Sequence, residues 1–377
     1  MNYKTMLHSN PHLWPGKCAS TLGIMRVFMP MLIIFGLALL LANAAETATT
    51  ASPAPAGSAP PVSGAAKDLP IDPFQQNARL GRGINIRRME ELGESHYRAI
   101  KDAGFQHIRI PLFPFKYMKS KSGFDIQPVF FSQLDTAVRC ALAHDLMVTL
   151  DLHEHKEMRK DPVGTQGKFL AAWRQIAPHC KDYPSQVVFE IANEPPMSPE
   201  LWNALYPQAL KIIRASNPSR TVLVGAPVRG CHIPYLKDLR LPENDRNLIA
   251  TVHYYDPFAF THQGVAFSEH FKDVSGVNWS GTEQEKKAIT EAFDFAQKWS
   301  EEHHCPINMG EFGTGSKGAM EERIRWTSFV VRQMEARHWS WSFFEFDQPD
   351  FGIYDKASGK WLGGIRDTLL TDMFGTK

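Results

Sequence analysis

The sequence of 377 residues carries little net charge and few cysteines. Its formal charge at pH 7 is +1, so neither nucleic acid nor an anionic membrane surface is expected as a partner, because neither would be attracted electrostatically. The five cysteines follow no zinc-binding spacing. Cys140, Cys180, Cys231 and Cys305 lie beyond the N-terminal leader. An oxidising compartment would permit one or two disulfides among them, and four mostly buried thiols are the alternative.

Two further signatures are missing. No glycine-rich phosphate-binding fingerprint follows the first strand-like segment, which disfavours a doubly wound nucleotide-binding sheet. His153 with His155 and His303 with His304 are paired in sequence, but no third ligand follows at a recognisable spacing. We therefore expect neither a metal nor a cofactor.

The chain has 43% hydrophobic and 21% charged residues, which suits a globular enzyme with a large core.

The first 66 residues differ in composition from the rest. Basic residues precede an apolar run over 27–41, and the small-residue site Ala42-Asn43-Ala44 follows. This order predicts a secretory signal peptide over 1–44, cleaved after Ala44, with an uncleaved membrane anchor as the alternative. Residues 45–66 predict a flexible Ala/Pro/Ser-rich linker before a catalytic domain over 67–377. We expect a monomer that is secreted or periplasmic, with no lasting membrane insertion.

From residue 70 onward, short strand-like segments alternate with longer helical patterns, which favours a parallel sheet covered by helices. The strand-like segments are almost continuously apolar, as strands covered on both faces must be. Eight strands are predicted, over 82–86, 107–112, 146–152, 187–192, 221–226, 249–255, 307–310 and 339–344. Helices are predicted over 95–103, 129–144, 168–177, 199–216 (with Ser198 as N-cap), 285–303 and 320–337. This rhythm predicts an α/β fold with a single (β/α)8 TIM barrel.

In such a barrel the active site forms at the carboxyl ends of the strands. Polar and ionisable side chains occupy those positions in this sequence, namely Asn85, Arg109, His153, Asn193, Glu194, His253, Tyr255 and Glu311. Two isolated glutamates delivered by two strands are what a retaining glycosidase needs. One protonates the glycosidic oxygen and the other attacks the anomeric carbon, from about 5 Å apart.

Seven segments, in order, resemble glycoside hydrolase family 5, a group of barrels that carry the acid/base and the nucleophile at the ends of strands four and seven. The segments are His107–Pro111, Leu150–His153, Phe189–Pro195, His253–Phe258, Phe260–Gly264, Gly310–Gly313 and Phe351–Asp355. Asn-Glu-Pro alone is a weak motif, whereas all seven in order at the strand ends are specific. The resemblance covers roughly residues 70–370.

The resemblance implies roles for the matched residues. Glu194 would be the acid/base, and desolvation at the barrel rim would raise its pKa and keep it protonated. Glu311 would be the nucleophile, kept ionised by Arg109 and oriented by a hydrogen bond from Tyr255. Asn193 would bond the sugar 2-hydroxyl. The other predicted substrate-binding or supporting residues are His153 and His253, which would line the cleavage subsite, together with His262, Phe344 and Asn85.

Neighbouring carboxylates are interpreted as structural. Glu190 is expected to have a partner within the barrel layers, and Asp151 to pair with a backbone group or an arginine inside the barrel. Glu345, which follows the eighth predicted strand, is also expected to be structural.

The sequence departs from the family pattern at its aromatic platforms. Where the family usually has a tryptophan beneath the sugar being cleaved, this chain has Phe344, which lacks the indole N–H donor. Trp341 or Trp339 would replace it only after a register slip of strand eight. Phe267 stands at a second common platform. The first loop, about eight residues from Arg87, is short, so fewer glycone-side contacts are expected.

The function predicted from these features is retaining endo-hydrolysis of a β-1,4-linked glucan such as cellulose. A polysaccharide or an oligosaccharide would be the substrate. Hydrolysis of mannan, of another β-glucan or of an exopolysaccharide is the first alternative. The second is a non-catalytic carbohydrate-binding barrel, which the retention of Glu194, Glu311 and Arg109 disfavours.

Overall fold

The computed structural model describes residues 70–119 and 123–371. The predicted signal peptide and linker therefore lie outside the described residues. Within the described part, no helix is both long enough and apolar enough to cross a membrane.

The described chain forms a closed parallel barrel in which each strand pairs with its neighbours in sequence and the eighth pairs with the first. Residues Gly83 and Ser342 face each other where the barrel closes. The strands are buried along almost their whole length, which explains their continuous apolar character. They are β1 (Arg82–Asn85), β2 (His107–Leu112), β3 (Met147–Leu152), β4 (Val187–Glu190), β5 (Val222–Gly225), β6 (Leu248–Tyr254), β7 (Ile307–Phe312) and β8 (Ser340–Phe343). All eight predicted strands are confirmed, with ends that shift by two residues at most.

Helices cover the outside of the barrel. They are α1 (Pro73–Leu80), α2 (Glu94–Ala103), α3 (Pro128–Ala143), α4 (His155–Lys160), α5 (Gln166–His179), α6 (Pro199–Ser216), α7 (Phe258–Thr261), α8 (Glu283–His303), α9 (Met320–Glu335) and α10 (Gly363–Leu370). A short hairpin, β9 (Tyr354–Asp355) with β10 (Lys360–Trp361), precedes α10. The six predicted helices are confirmed, whereas α1, α4, α7 and α10, of four to eight residues, were not predicted.

Local capping signals explain where two of the long helices begin. The hydroxyl of Ser198 accepts the N–H of Leu201 at the start of α6, as predicted. Thr282 and Glu285 form a reciprocal capping box at the start of α8, in which each side chain accepts the other residue's backbone N–H. These caps satisfy N–H groups that the first turn of a helix leaves without a partner.

Helix α1 closes the N-terminal end of the barrel. Leu80 packs in a buried apolar cluster with Met147, Val188 and Leu223, which lie near the starts of β3, β4 and β5. Asn77 donates to the carbonyl of Ile307 at 3.0 Å. Because this end is closed, the opposite end, where the strands finish, is the one that remains open for a binding site.

Cys140, Cys180, Cys231 and Cys305 are unpaired, and the last three are buried. The alternative of four separate thiols is therefore correct for the described residues, and no disulfide links them. The first loop is as short as predicted, since only residues 86–93 separate β1 from α2.

Candidate active site

A buried arginine occupies the interior of the barrel beneath its open end. Arg109 of β2 is 1% exposed, and its guanidinium donates two parallel hydrogen bonds to Glu190 of β4, at 2.7 and 2.9 Å. Asp151 Oδ2 of β3 lies 3.1 Å from the same group. Burial lowers the pKa of Arg109, but the surrounding carboxylates raise it by more, so the pKa lies above its usual value. Burial raises the pKa of Asp151 to about 6 and also raises that of Glu190.

The remaining donors of Arg109 reach three side chains at the strand ends. Its two terminal nitrogens donate to Asn85 Oδ1, Asn193 Oδ1 and Glu311 Oε1, each at 2.9 Å. Asn85 in turn donates to the carbonyls of Gly310 and Ser342, at 3.0 and 3.1 Å. One side chain thereby sets the positions of residues from the first, fourth and seventh strands.

Glu311 lies on β7 with both carboxylate oxygens bonded. Arg109 reaches Oε1, and the hydroxyl of Tyr255 donates to Oε2 at 2.9 Å. His253 Nδ1 lies 3.7 Å from Oε2. The residue is only 5% exposed, yet it lines the cleft described below. Since both oxygens are held, the orientation of this carboxylate is set before a substrate arrives.

Glu194 follows β4 and faces Glu311. Its Oε1 lies 3.0 Å from His253 Nδ1, and its side chain is 21% exposed. One oxygen of Glu194, one oxygen of Glu311 and a ring nitrogen of His253 lie within 4.8 Å of one another. The two carboxylates therefore meet across a short gap at the open end of the barrel.

The pKa of Glu194 shifts in the direction opposite to the one expected from the sequence. Burial raises the pKa of Glu194, but the hydrogen bond with His253 and the positive charge of that imidazole lower it more, so the net direction is downward. Burial lowers the pKa of His253, but Glu311 and Glu194 raise it more. These directions are opposite to the expectation that desolvation raises the pKa of Glu194.

A cleft of about 840 Å³ opens above the two glutamates, which is within the range of small-molecule sites. Seven of the ten predicted site residues line it, namely His153, Asn193, Glu194, Tyr255, His262, Glu311 and Phe344. Asn85, Arg109 and His253 do not line it. These three are 1–2% exposed and lie beneath the cleft, so they support the lining residues instead of contacting a ligand.

The histidines of the cleft are held in their neutral form. Burial lowers the pKa of His153, of His155 and of His262 to about 4 in each case. His153 Nδ1 lies 2.6 Å from Asp151 Oδ2, and His262 Nδ1 lies 2.9 Å from the hydroxyl of Thr261. Near pH 7 these side chains offer hydrogen bonds to a ligand without adding positive charge.

Phenylalanine provides the aromatic walls of the cleft. Phe344 follows β8 and lines the cleft, with its ring 6.3 Å from that of Tyr255. Phe267, which also lines the cleft, is 57% exposed. Trp341 and Trp339 are 1% and 5% exposed and are packed in the core. The register slip needed to bring either tryptophan into the cleft does not occur.

Other lining residues were not predicted as site residues. They follow the third to sixth strands and include His155 and Arg159 of α4, Phe258 of α7, and His232 and His270. His155 follows His153 by two residues, and that short spacing is the one signal the sequence carried for it. The rest lie on short helices and loops whose course depends on tertiary packing.

The three donors of Glu194, His253 and Glu311 are close enough together to hold a metal ion. Two carboxylates and one imidazole are a donor set that divalent transition metals accept. All three residues, however, also hydrogen-bond to one another or to Arg109 and Tyr255, so a metal would have to displace those contacts.

Comparison with known proteins identifies the family. The family model described as cellulase (glycosyl hydrolase family 5) matches residues 77–349, which is more than half of the chain. The chain belongs to glycosyl hydrolase family 5.

Two curated relatives in this family are named as endoglucanases. Endoglucanase H of Acetivibrio thermocellus is 26% identical over an alignment of 303 residues that covers 76% of this chain and 32% of that protein. Endoglucanase 3 of Fibrobacter succinogenes is 26% identical over 79% of this chain and 54% of that protein. The chain thus spans about a third of the first relative and about half of the second.

Solved structures of the family match over almost their full length. Cel5A of Thermotoga maritima is 38% identical, with a TM-score of 0.76 over 79% of this chain and 100% of that chain. It has been solved with mannotriose and with cellobiose. Cellulose synthase subunit Z of Clostridioides difficile is 34% identical, with a TM-score of 0.73 over 77% of this chain and 99% of that chain. The closed eight-stranded barrel of the described chain agrees with this likeness.

Proposed function

We propose that this protein hydrolyses internal β-1,4 linkages of a glucan with retention of anomeric configuration. The observation that carries the proposal is the short gap between the two carboxylates, whose nearest oxygens lie within 4.8 Å. Retaining enzymes separate their carboxyl groups by about 5–5.5 Å, whereas inverting enzymes leave about 6.5–9.5 Å for a water molecule.

In the first step, Glu311 attacks the anomeric carbon while the bond to the leaving oxygen breaks and that oxygen takes a proton from Glu194. In the second step, a water molecule attacks the anomeric carbon, gives its proton to Glu194 and releases Glu311. We propose that His253, whose Nδ1 lies 3.0 Å from Glu194 Oε1, is the proton store from which Glu194 is protonated before it donates to the leaving oxygen.

The choice of glucan is supported by the relatives named as endoglucanases. Mannan is the second candidate, because the Thermotoga maritima enzyme has been solved with mannotriose and because Phe344 leaves a smaller platform than the usual indole. An exopolysaccharide is the third, since one structural neighbour is named as a cellulose synthase subunit.

The test is hydrolysis of β-1,4-glucan, mixed-linkage glucan and mannan by the wild type, Glu311→Gln and Glu194→Gln, with NMR of the first product anomer. We expect turnover of the glucan, release of the β-anomer, and loss of at least about 10²-fold in each variant. Activity that survives Glu311→Gln would refute the mechanism, and initial release of the α-anomer would refute retention. Oligosaccharide binding without turnover of any polymer would favour the binding-barrel alternative.

We also propose that the protein is a monomer exported by a signal peptide over residues 1–44, which places it in the periplasm or outside the cell. The order of basic residues, apolar run and small-residue site in the sequence supports this. N-terminal sequencing of the mature protein tests the cleavage after Ala44, and size-exclusion chromatography with light scattering tests the monomer. An intact N-terminus in the membrane fraction would favour the anchor.

A further inference from the structure

The backbone at Glu194 adopts a conformation that is uncommon for a residue with a side chain. Its φ is +43°, in the left-handed region, which is strained for a residue other than glycine. Such a conformation persists only where the surrounding structure holds it in place. The direction of the Glu194 carboxylate therefore depends on its neighbours.

The neighbour that faces Glu194 is the segment Gly230–His232, which follows β5. A Cβ atom on Gly230 would lie 3.3 Å from Glu194 Oε1 and 3.3 Å from His232 Cδ2, closer than ordinary van der Waals contact. Because glycine has no side chain, this position leaves room for the Glu194 carboxylate. The next residue, Cys231, is fully buried, and its thiol lies beside the backbone N–H of Glu194, which lowers the pKa of that thiol although burial raises it more.

The segment is itself anchored on both sides. His232 forms a parallel bridge with His253, the residue that bonds Glu194. The thiol of Cys231 packs against Gly225 at the end of β5, where a Cβ atom would lie 2.7 Å from Sγ. Gly230 and Cys231 have φ values of +69° and +51°, so the backbone turns sharply at this point. These contacts tie the acid/base to β5 and β6.

We propose that Gly230–His232 is a positioning element for the acid/base, in which Gly230 gives the carboxylate its place and Cys231 holds its backbone. This inference rests on the proposed function, because it assigns a task relative to Glu194 as proton donor. A methyl group on Gly230 forces Glu194 or His232 to move by a few tenths of an ångström. Proton transfer to the leaving oxygen requires hydrogen-bond contact, so such a shift weakens acid catalysis.

The first test compares Gly230→Ala with Gly276→Ala. Gly276 has the same φ of +69°, and a Cβ atom there would meet no atom within 4 Å, so this variant carries the backbone strain without the contact. The kcat/KM is measured on a β-1,4-glucan and on 2,4-dinitrophenyl β-cellobioside, whose leaving group departs without protonation. We expect Gly230→Ala to lose about tenfold or more on the glucan and less than about twofold on the aryl glycoside. Gly276→Ala should keep both values and show a similar fall in Tm.

The second test compares Cys231→Ala and Cys231→Ser with Cys305→Ala. Cys305 is 3% exposed and lies at the opposite end of the barrel, before β7, so its loss controls for removal of a buried thiol. Cys231→Ala should lower kcat on the glucan with little change in KM, and Cys231→Ser, which keeps an acceptor, should recover part of it. Cys305→Ala should lower Tm and leave kcat unchanged. If Gly230→Ala does not fold, the comparison of the Cys231 variants with Cys305→Ala still tests the proposal.

Three outcomes would overturn the inference. The first is full glucan activity in both Gly230→Ala and Cys231→Ala. The second is an equal loss of activity on the glucan and on the aryl glycoside, and the third is a loss of activity in Cys305→Ala equal to that in Cys231→Ala. Equal losses would mean a general structural defect and not a misplaced acid. Failure of the proposed function is separate, because it would show as a wild-type protein that hydrolyses neither substrate.

Discussion

Replacing Arg109 by methionine removes the cation that balances Asp151, Glu190 and Glu311 inside the barrel. Methionine has a similar length and no charge, so the substitution leaves buried carboxylates without their partner. Removing one member of a buried ion pair costs about 3–5 kcal/mol. With roughly 2 °C of Tm per kcal/mol for a domain of this size, we expect Tm near pH 7.5 to fall by about 6–10 °C.

The loss should depend on pH in a predictable direction. Burial already raises the pKa of Asp151 to about 6 and raises that of Glu190, although Arg109 opposes both shifts. Without the arginine both values rise further. A carboxyl whose pKa is higher in the folded state makes the fold less stable as pH rises from its unfolded pKa through its folded pKa. The free-energy difference between wild type and Arg109→Met is therefore largest at pH 7–8 and shrinks toward pH 5.

Urea denaturation at pH 5, 6, 7 and 8 measures this difference, with Arg337→Met as the matched control. Arg337 pairs with Asp294, whose side chain is 63% exposed, and also donates to Gln333, so its loss should cost less than that of Arg109 and show little pH dependence. A loss for Arg109→Met that is constant from pH 5 to 8 would refute the reasoning. A loss no larger than that of Arg337→Met would also refute it.

Three further predictions concern catalysis and binding. Tyr255→Phe removes one of the two donors to Glu311 and should lower kcat by about 10–100-fold with little change in KM, a result that an unchanged kcat would contradict. His253→Gln removes the second site for the shared proton, so the pKa of Glu194 alone sets the alkaline limb of the kcat/KM profile. That limb should move to lower pH, and an unmoved limb would rule out the proton store. Phe344→Ala should raise the Kd for cello-oligosaccharides about tenfold in calorimetry, and an unchanged Kd would show that its ring is not a platform.

The fold was predictable because its signal is local and repeated. Each barrel strand is a short apolar run between helical patterns, and Ser198 marks the start of α6 by its own hydrogen bond. Two of the helices that were not predicted are very short. Helices α4 and α7 span six and four residues, which is too short for a clear helical period in the sequence. Helix α1 depends on a distant partner, since its Asn77 bonds the carbonyl of Ile307.

The sequence predicted which residues form the candidate site, but not how deep each of them lies below the cleft. Strand ends meet at one face of a barrel, so Glu194, Glu311 and Tyr255 could be grouped from the order of segments alone. The sequence could not distinguish residues that touch the cleft from those beneath it, such as Asn85 and His253, because depth depends on the tilt of every strand. Loop residues such as His232 carry no periodic signal.

The sequence by itself determined the eight-strand order and the two glutamates at the ends of β4 and β7, because both follow from residue identity and from spacing along the chain. That Phe344 stands where tryptophan is usual follows from the resemblance to glycoside hydrolase family 5. Only the tertiary structure decided in which direction the pKa values of Glu194 and His253 shift. Glu194 and His253 are 59 residues apart, and their pKa values depend on a 3.0 Å contact formed when β4 and β6 close into one barrel. Charge interactions act through space, so no local pattern reports them.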